Sequence, residues 1–288
     1  MTELTIFKDF RGFLYSSATG SDVGVDLDSL IVNLSGYGFK CRQLFFNEFD
    51  ITQDWQGKYV IYQSSEDRDL LYKDYIEDVL LALEQAGAIL IPHFLAFRCH
   101  HNKALQELIR LKYMPESRMP SKVYGSLEDL LRDSSDINYP CVLKSSSGAK
   151  SLGVKLCSSE KELKNRAKKI SRTFSLTEWV KDCIKSVIRP YHIRVSQHKR
   201  KFIVQKFVSN LPGDFKVLIY GDRCVALERG LNPGDFRASG SGNLTVNEPI
   251  PAEVIAFCFE LARKFDVPFA SFDVAMVDGV PELIEFQF

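Results

Sequence analysis

The sequence lacks several features that would assign it to a class of protein at once. None of its apolar runs approaches the roughly 20 residues that a membrane-spanning helix needs. The opening residues, MTELTIFKDF, lack both the basic flank and the long apolar core of a secretion signal. Neither sign of charge prevails, because 37 lysine and arginine residues balance 37 aspartate and glutamate residues. A chain without net charge has no overall field to hold nucleic acid or an anionic membrane, so we expect neither partner.

Closely spaced cysteine pairs are also absent. The seven cysteines are widely scattered, their number is odd, and no CxxC sequence occurs. This pattern is typical of reduced thiols in a cytoplasmic protein rather than of a disulfide framework or a zinc site. His93, Cys99, His100 and His101 lie near one another, but their spacing fits no standard zinc pattern. We therefore expect a cytoplasmic protein without a zinc centre.

The first hundred residues have the pattern of a small α/β unit. Apolar or alternating segments predict strands at 3–7, 41–46, 59–62 and 88–92. Apolar residues at helical spacing predict a helix over 69–86, which Gly87 ends. A strand, a helix and a strand in this order favour a parallel sheet with a crossover helix. Asn102 is a candidate cap for a further helix over 103–111.

The rest of the chain has the pattern of a second, larger unit without internal repeats. We predict helices at 121–132, 159–170 and 251–265, and strands at 138–144, 154–157, 193–196 and 202–208. Gly221-Asp222 predicts the turn of a hairpin that begins near Phe215. Asp278-Gly279 predicts a second hairpin, between strands at 270–277 and 281–286.

A loop of small residues, Ser145–Gly153, joins two of the predicted strands. Small residues let backbone amides approach a phosphate closely, and hydroxyl groups add further donors. The loop is not a Walker A motif, because Ala149 separates the glycine from the lysine and a strand follows instead of a helix. A flexible hairpin loop is the alternative. Lys144 favours the phosphate site, because it sets a cation at the end of the preceding strand.

Two carboxylates occur on the last hairpin, in SFDVAMVDGVPELIEFQF. Pairing of the two strands brings Asp273 and Glu285 together among apolar neighbours, where charge is costly without a cation. Their oxygen ligands suit Mg²⁺, and Gln287 shares a sheet face with Glu285 and can add a third oxygen. An ordinary ion pair of each carboxylate with a basic side chain is the alternative.

A third group of charges follows residue 213. Asp214 and Lys216 begin one strand, Arg229 closes the hairpin, and Arg237 lies in a loop rich in glycine and serine. Arginines on a loop beside a phosphate site can neutralise a phosphoryl group during its transfer. A solvated loop without a role in chemistry is the alternative.

Taken together, these motifs resemble the ATP-grasp superfamily, over roughly residues 100–288. The resemblance implies an α+β fold in which two lobes grip ATP, preceded by a small α/β domain. The implied divisions are an N-terminal domain at 1–100, a lobe with the phosphate loop at 101–204, and a lobe with the metal-binding strands at 205–288. Family members usually continue beyond the metal strand, so we expect that a C-terminal segment is missing or has been lost after Phe288.

The resemblance assigns roles to particular residues. Nucleotide binding is implied for Lys103, Lys144, Ser146, Ser147, Gly148, Ser151, Gly153, Gln205, Lys206, Phe207, Val208 and Asp214. Catalytic roles are implied for Lys216, Arg229 and Arg237, and ligation of two Mg²⁺ ions, or of Mn²⁺, for Asp273, Glu285 and Gln287. The sequence departs from the family pattern in three places: Gln287 and Ser239 replace asparagines, and Gln205-Lys206 replaces a commonly acidic hinge. Residues 180–200 match nothing in the family.

The implied function is ligation, in which ATP activates a carboxylate as an acyl-phosphate and an amine then displaces phosphate. An amino acid or a peptide is the default substrate class, and a homodimer is compatible with the sequence. Two alternatives stay open: a kinase of the same fold that phosphorylates a small acceptor, and an ATP-binding module without catalysis. Retention of Asp273 and Glu285 argues against the second.

Overall fold

The polypeptide folds around three separate β-sheets. The computed structural model describes residues 2–14, 24–65, 67–147, 153–238, 241–245 and 249–288. Each sheet is built from strands that are consecutive in the chain. In the second sheet a long segment separates the last strand, which begins at Phe202, from the strand before it, which ends at Cys157. The mixture of helices and strands confirms the predicted α+β class.

The N-terminal sheet is parallel and has the order β2-β1-β3-β4. Its elements are β1 (Thr2–Lys8), α1 (Leu27–Gly36), β2 (Phe39–Phe45), β3 (Tyr59–Ile61), α2 (Leu71–Gln85) and β4 (Ile89–Ile91). Helix α2 forms because its apolar residues recur on one face, and Ile76, Leu80 and Leu83 of that face are completely buried. Gly87 then ends the turn after the helix with a φ of +83°, a conformation that glycine adopts without strain. The predicted crossover helix between parallel strands is confirmed.

Helix α2 also buries a lysine. The side chain of Lys73 is 5% exposed, and its Nζ lies 3.9 Å from the centre of the Phe97 ring and 3.5 Å from the Phe97 carbonyl oxygen. Burial lowers the pKa of Lys73 to about 8, and the nearby positive charge of Arg98 lowers it further. The ammonium group therefore costs the folded state free energy at neutral pH.

Replacing Lys73 with methionine is expected to raise the free energy of unfolding at neutral pH by up to about 3 kcal/mol. In the parent chain, stability should rise as the pH passes from about 8 to 10.5, because the folded chain has released a proton that the unfolded chain still holds. The Lys73→Met chain should lack this rise. Denaturant unfolding at neutral and alkaline pH measures both effects. The control is Lys40→Met, at an exposed position of β2 in the N-terminal sheet. An equal change in both variants would refute the destabilising effect of the buried Lys73 charge.

Two helices lead from the N-terminal sheet to the rest of the molecule. They are α3 (Phe94–Cys99) and α4 (Lys103–Tyr113), and the Asn102 side chain caps α4 as predicted by accepting a bond from the Leu105 amide. One side of α4 packs its Ile109 into the core of the third sheet. Helix α4 is therefore fixed between sheets, and its N-terminus lies where they meet.

The second sheet is antiparallel and has the order β5-β8-β6-β7. Its elements are β5 (Ser121–Tyr124), α5 (Leu127–Asp133), β6 (Cys141–Ser145), β7 (Val154–Cys157), α6 (Glu160–Ile170) and β8 (Phe202–Lys206). The predicted helix over 121–132 is wrong in its first part, because residues 121–124 pair with β8 as an edge strand. The apolar residues Tyr124, Leu127 and Leu130 are buried as the pattern indicates, but they face one core from two different elements.

A helix that the sequence analysis did not predict, α7 (Leu176–Ile188), lies between α6 and β8. Its start is encoded locally, since Ser175 caps the helix by accepting a bond from the Glu178 amide. The predicted strand at 193–196 is wrong, because residues 189–201 contain no strand in the described structure. Asp182 anchors this segment to α7 by bonding His192 at 2.6 Å and the Val195 amide at 3.2 Å.

The third sheet has the order β11-β10-β9-β12-β13 and is antiparallel throughout. Its elements are β9 (Gly213–Tyr220), β10 (Arg223–Gly230), β11 (Leu244–Thr245), α8 (Ala252–Lys264), β12 (Phe269–Val277) and β13 (Val280–Gln287). Asp278 and Gly279 turn the last hairpin with φ values of +50° and +76°, as a type I′ turn requires. One face of the sheet packs Val217, Phe272 and Phe286 against α8, and this leaves the other face for charged side chains.

Two further observations bear on the expectations from sequence. Within the described residues, no helix combines the length and the apolar character needed to cross a bilayer. All seven cysteines are free thiols.

The expected division between residues 204 and 205 falls inside β8, which is a central strand of the second sheet. We propose that the lobes divide after Lys206 instead.

Candidate nucleotide and metal site

A row of charged side chains crosses the outer face of the third sheet. Lys216 on β9, Asp273 on β12 and Glu285 on β13 are direct register partners, so their side chains point to the same face. A β-bulge follows Asp273, because Val274 pairs with Leu283 and Ile284 is left as the extra residue. Bulges re-aim side chains, and this one lets the adjacent residues Ile284 and Glu285 line the same cavity.

A second row on this face contains a buried arginine between two carboxylates. Arg229 Nε lies 2.6 Å from Asp214 Oδ1, and Arg229 Nη2 lies 2.8 Å from Asp273 Oδ2. Burial raises the pKa of Asp214, while the hydrogen bond from Arg229 opposes this rise. Gly213 permits the close strand approach here, since a Cβ at this position would lie 2.1 Å from the Arg229 carbonyl oxygen. The carboxylate of Asp214, a residue for which nucleotide binding is implied, thus forms an ion pair with Arg229.

The second sheet meets this face through Lys144 and the start of the phosphate loop. The Lys103 amide donates to the Ser146 carbonyl at 2.9 Å, and the Ala104 amide donates to Ser146 Oγ at 3.4 Å. These bonds hold the N-terminus of α4 against the end of β6. Lys103 Nζ then reaches across to Glu285 Oε2 at 3.1 Å. The positive end of a helix and two lysines therefore surround one point beside the carboxylates.

A single cavity at this junction joins the predicted residues. Its walls include Lys103 from α4, Lys144 from β6 and Glu285 from β13. Burial lowers the pKa of Lys144, whereas the negative charges of Glu107 and Glu285 raise it. Lys144 and Glu285 lie close enough to interact electrostatically.

The sequence analysis missed a buried polar face of α4. Gln106, Glu107 and Arg110 are 4%, 5% and 1% exposed, and all three line the cavity with Lys103. Arg110 Nε donates to Glu107 Oε1 at 2.9 Å, and Arg110 Nη1 donates to Ser117 Oγ at 2.6 Å. Their helical spacing is visible in the sequence, but charged residues at that spacing usually form a solvated face. No local signal distinguished the two cases.

The same network continues into the third sheet. Ser117 Oγ donates to Glu282 Oε2 at 2.7 Å, and the Arg118 amide donates to Glu282 Oε1 at 3.0 Å. Glu282 belongs to β13, three residues before Glu285, and is 4% exposed. Because each of these buried groups is bonded, the network fixes the distance between α4 and β13 and with it the width of the cavity.

The phosphate loop is described only at its two ends. Ser145 Oγ donates to the Ser147 carbonyl at 2.7 Å, and the Ser145 amide donates to the Gly153 carbonyl at 2.9 Å. Gly153 is needed at this position, because a Cβ would lie 1.8 Å from Ser145 Oγ. The predicted phosphate-binding residues Gly148 and Ser151 lie outside the described residues.

The hinge residues for which the resemblance implies nucleotide binding, Gln205 to Val208, span the end of β8 and the two positions after it. Gln205 is 4% exposed and faces Met119, whereas Lys206 is exposed, and both Phe207 and Val208 are half-buried. The rings of Phe207 and Phe236 contact each other edge to face, with their centroids 5.8 Å apart. This contact places the glycine- and serine-rich loop that carries Arg237 beside the hinge. In that loop Arg237 Nη2 lies 2.7 Å from Asp235 Oδ2. The hydrogen bond from Arg237 lowers the pKa of Asp235 to about 2.

The donor set fits a hard divalent cation. Asp273 Oδ1 is buried and has no hydrogen-bond partner, and Lys216 Nζ lies 3.6 Å from it. Glu285 stands opposite Asp273, and the exposed side chain of Gln287 lies on the same face as both. Two carboxylates and an amide are oxygen ligands of the kind that Mg²⁺ takes.

The ion-pair alternative for this segment also has support. Asp273 pairs with Lys216 and Arg229, and Glu285 pairs with Lys103. All three cations are residues that the family resemblance assigns to phosphate or to the reacting group. Each carboxylate of the site therefore forms an ion pair with a cation that could instead bind a phosphate.

Comparison with known proteins places the fold. No protein-family model matches the sequence, and no curated protein matches it. Among solved structures, D-alanine–D-alanine ligase from Bacillus anthracis is 15% identical with a TM-score of 0.55, covering 100% of this chain and 86% of its own. A RimK domain ATP-grasp protein from Sphaerobacter thermophilus is 11% identical with a TM-score of 0.53, covering 99% and 90%. The ATP-grasp ligase PsnB, solved with a minimal precursor, is 15% identical with a TM-score of 0.53, covering 99% and 90%.

These neighbours define the class of architecture. The chain has the ATP-grasp fold. We propose that the second and third sheets are its two lobes, with the parallel sheet as the preceding domain. The resemblance predicted from the separated motifs is confirmed at the level of the fold.

Proposed function

We propose that this protein is an ATP-dependent ligase that activates a carboxylate as an acyl-phosphate and joins it to an amine. The observation that carries the proposal is the cavity between the lobes, where Lys103 and Lys144 face Glu285. Two cations beside a helix N-terminus suit a triphosphate, and the carboxylates of β12 and β13 suit the metal that accompanies it. Nucleotide and metal would therefore meet at one point.

The ion pairs of the site support this proposal because they can exchange partners. Phosphate oxygens can replace Glu285 beside Lys103, while a divalent cation takes the place of Lys103 beside Glu285. The same exchange applies to Asp273, whose partners are Lys216 and Arg229. Each charge then keeps a partner of opposite sign, so binding leaves no buried charge uncompensated.

The proposed reaction has two steps, and neither needs a side-chain nucleophile. In the first, a carboxylate oxygen of the substrate attacks the γ-phosphorus, the bond to the bridging oxygen breaks, and ADP leaves. In the second, an amine nitrogen attacks the acyl carbon, phosphate leaves with its oxygen, and the amine loses a proton to solvent. Catalysis by the protein is then positioning and neutralisation of charge.

Particular residues take these roles. Lys103 and Lys144 hold the phosphates, with Ser146 and Ser147 at the start of the loop. Lys216, Arg229 and Arg237 neutralise the transferring phosphoryl group, with Arg229 positioned by Asp214. Bound Mg²⁺ supplies Lewis-acid neutralisation of the phosphate oxygens, and Asp273, Glu285 and Gln287 are the residues that would hold it.

The substrate class is part of the proposal. Neighbours of the same fold include a D-alanine–D-alanine ligase and the ATP-grasp ligase PsnB, which was solved with a minimal precursor. We propose that the carboxylate and the amine of this chain likewise belong to amino acids or to a peptide. The parallel N-terminal sheet, which adjoins α3 and α4, is proposed to supply part of the acceptor pocket.

Incubation with Mg-ATP and a panel of amino acids and short peptides tests the function. The ligase proposal predicts that ADP and phosphate are released only when both a carboxylate and an amine substrate are present, and that omission of Mg²⁺ abolishes release. A stable phosphorylated product without phosphate release would show the kinase alternative instead. Tight ATP binding without turnover for any pair of substrates would show a binding module.

A further inference from the structure

Helix α7 is oriented with its apolar side outward. Its apolar residues recur at helical spacing and form one wide face, which we name the α7 apolar face: Leu176, Trp179, Val180, Ile184, Val187 and Ile188. All six are exposed, from 42% for Val180 to 85% for Val187. The residue on the opposite side, Asp182, is the one that is buried. The contacts of Asp182 join α7 to the segment that follows it, and the apolar face of the helix lies in solvent.

The segment after the helix extends this surface. Tyr191, Ile193 and Val195 are 96%, 86% and 51% exposed. Asp182 fixes the segment against α7 through His192 and the Val195 amide. The helix and the segment that follows it therefore both carry exposed apolar side chains. Contiguous exposed apolar surface of this kind marks a site of interaction.

The charge around this surface has one sign. Residues 172–201 contain eight lysines and arginines against two acidic residues, a net charge of +6 in a chain whose total is zero. The basic residues on α7 itself, Lys181 and Lys185, lie along one border of the apolar face, and Arg189 and Arg194 follow it. All four are exposed.

We propose that the α7 apolar face and the adjoining basic segment form a docking surface for an anionic membrane. Highly exposed apolar side chains need complementary pockets in a protein partner, whereas the interfacial zone of a bilayer receives them without any. Trp179 and Tyr191 combine an apolar ring with a polar group, as residues at the membrane interface do. The lysines and arginines match the negative potential of acidic headgroups.

The charge also decides against a second copy of the chain as the occupant. A two-fold contact through this face would bring two segments of charge +6 together, which like-charge repulsion opposes.

The zero total charge led us to expect no membrane contact, but that total conceals the local excess of positive charge in residues 172–201. The proposal is independent of catalysis, because none of its residues lines the cavity between the lobes.

Vesicle flotation tests the proposal with the full chain. We expect the protein to bind vesicles of equal parts phosphatidylcholine and phosphatidylserine, to bind pure phosphatidylcholine vesicles far less, and to dissociate as salt is raised. The chain has two tryptophans, and Trp55 is buried whereas Trp179 is 44% exposed. Binding should therefore shift the tryptophan emission to shorter wavelength through Trp179 alone.

A surface variant and a matched control complete the test. Val187→Ser combined with Ile193→Ser should weaken binding to the mixed vesicles by roughly tenfold or more, since both side chains are almost fully exposed and contribute little to folding. Val32→Ser, at a 71% exposed position of α1, should bind like the parent. No binding of the parent to mixed vesicles would overturn the proposal. So would undiminished binding of the double variant, or a parent dimer that the double variant dissociates.

Discussion

Replacing Glu285 with alanine is expected to lower substrate-dependent phosphate release by roughly a thousandfold or more, because a proposed ligand of the metal that accompanies the phosphates is lost. The fold should survive. Glu285 is partly exposed, and its contact with Lys103 at 3.1 Å is a partly exposed ion pair of the kind that contributes about 1 kcal/mol or less. Phosphate release under saturating Mg-ATP, measured beside a thermal unfolding curve, checks both parts.

Two further variants make this test specific. Glu285→Gln keeps an oxygen for Lys103 but removes the charge, so a similar loss of turnover would point to the metal and not to the ion pair. Glu260→Ala removes an exposed glutamate that pairs with Lys264 on α8, and it should leave turnover unchanged. Near-parental activity of Glu285→Ala would refute the metal assignment.

Replacing Lys144 with methionine is expected to lower the affinity for ATP by roughly 30- to 100-fold, since a charge-assisted contact to phosphate contributes about 2–3 kcal/mol. Stability should stay constant or increase, because burial lowers the pKa of Lys144 and its ammonium group is costly in the folded protein. Titration calorimetry with ATP and a thermal unfolding curve measure the two effects. Their opposite signs distinguish a functional lysine from a structural one.

Lys155→Met is the matched control for Lys144→Met. Lys155 lies on β7, opposite Leu143 in the same sheet, and its side chain is exposed. This variant should bind ATP like the parent. Equal losses of affinity in both variants would mean that the charge of the lobe, and not the position of Lys144, determines binding.

Features with a local cause were predictable from the sequence. The Asn102 cap and the Asp278-Gly279 turn each depend on a few neighbouring residues, and both occur where predicted. The turn sets the register from Val277–Val280 to Val274–Leu283, and a β-bulge at Ile284, which the sequence did not predict, then brings Glu285 opposite Asp273. The ATP-grasp fold was predicted from a family resemblance carried by several separated motifs, and not from the local features alone.

Features that depend on distant parts of the chain were not predictable. Residues 121–124 have a helical apolar pattern, but pairing with β8, about eighty positions later, makes them a strand. Glu107 and Arg110 appeared to belong to a solvated helix face, whereas packing of two sheets around α4 buries them. In α7 the apolar stripe has the usual spacing, yet Asp182 directs the polar side inward. In the first two cases contacts between distant segments override the local pattern, whereas in α7 Asp182 bonds residues only 10 and 13 positions further along the chain.

The central proposal is that Lys144 and Glu285 act on the same nucleotide from the two lobes. A structure of the protein with Mg²⁺ and a non-hydrolysable ATP analogue tests it directly. We predict phosphate oxygens beside Lys144 and Lys103, and a metal ion that joins those phosphates to Glu285 and Asp273. A nucleotide bound elsewhere, or one whose phosphates approach Lys144 while Glu285 keeps its ion pair with Lys103 and binds no metal, would contradict the account.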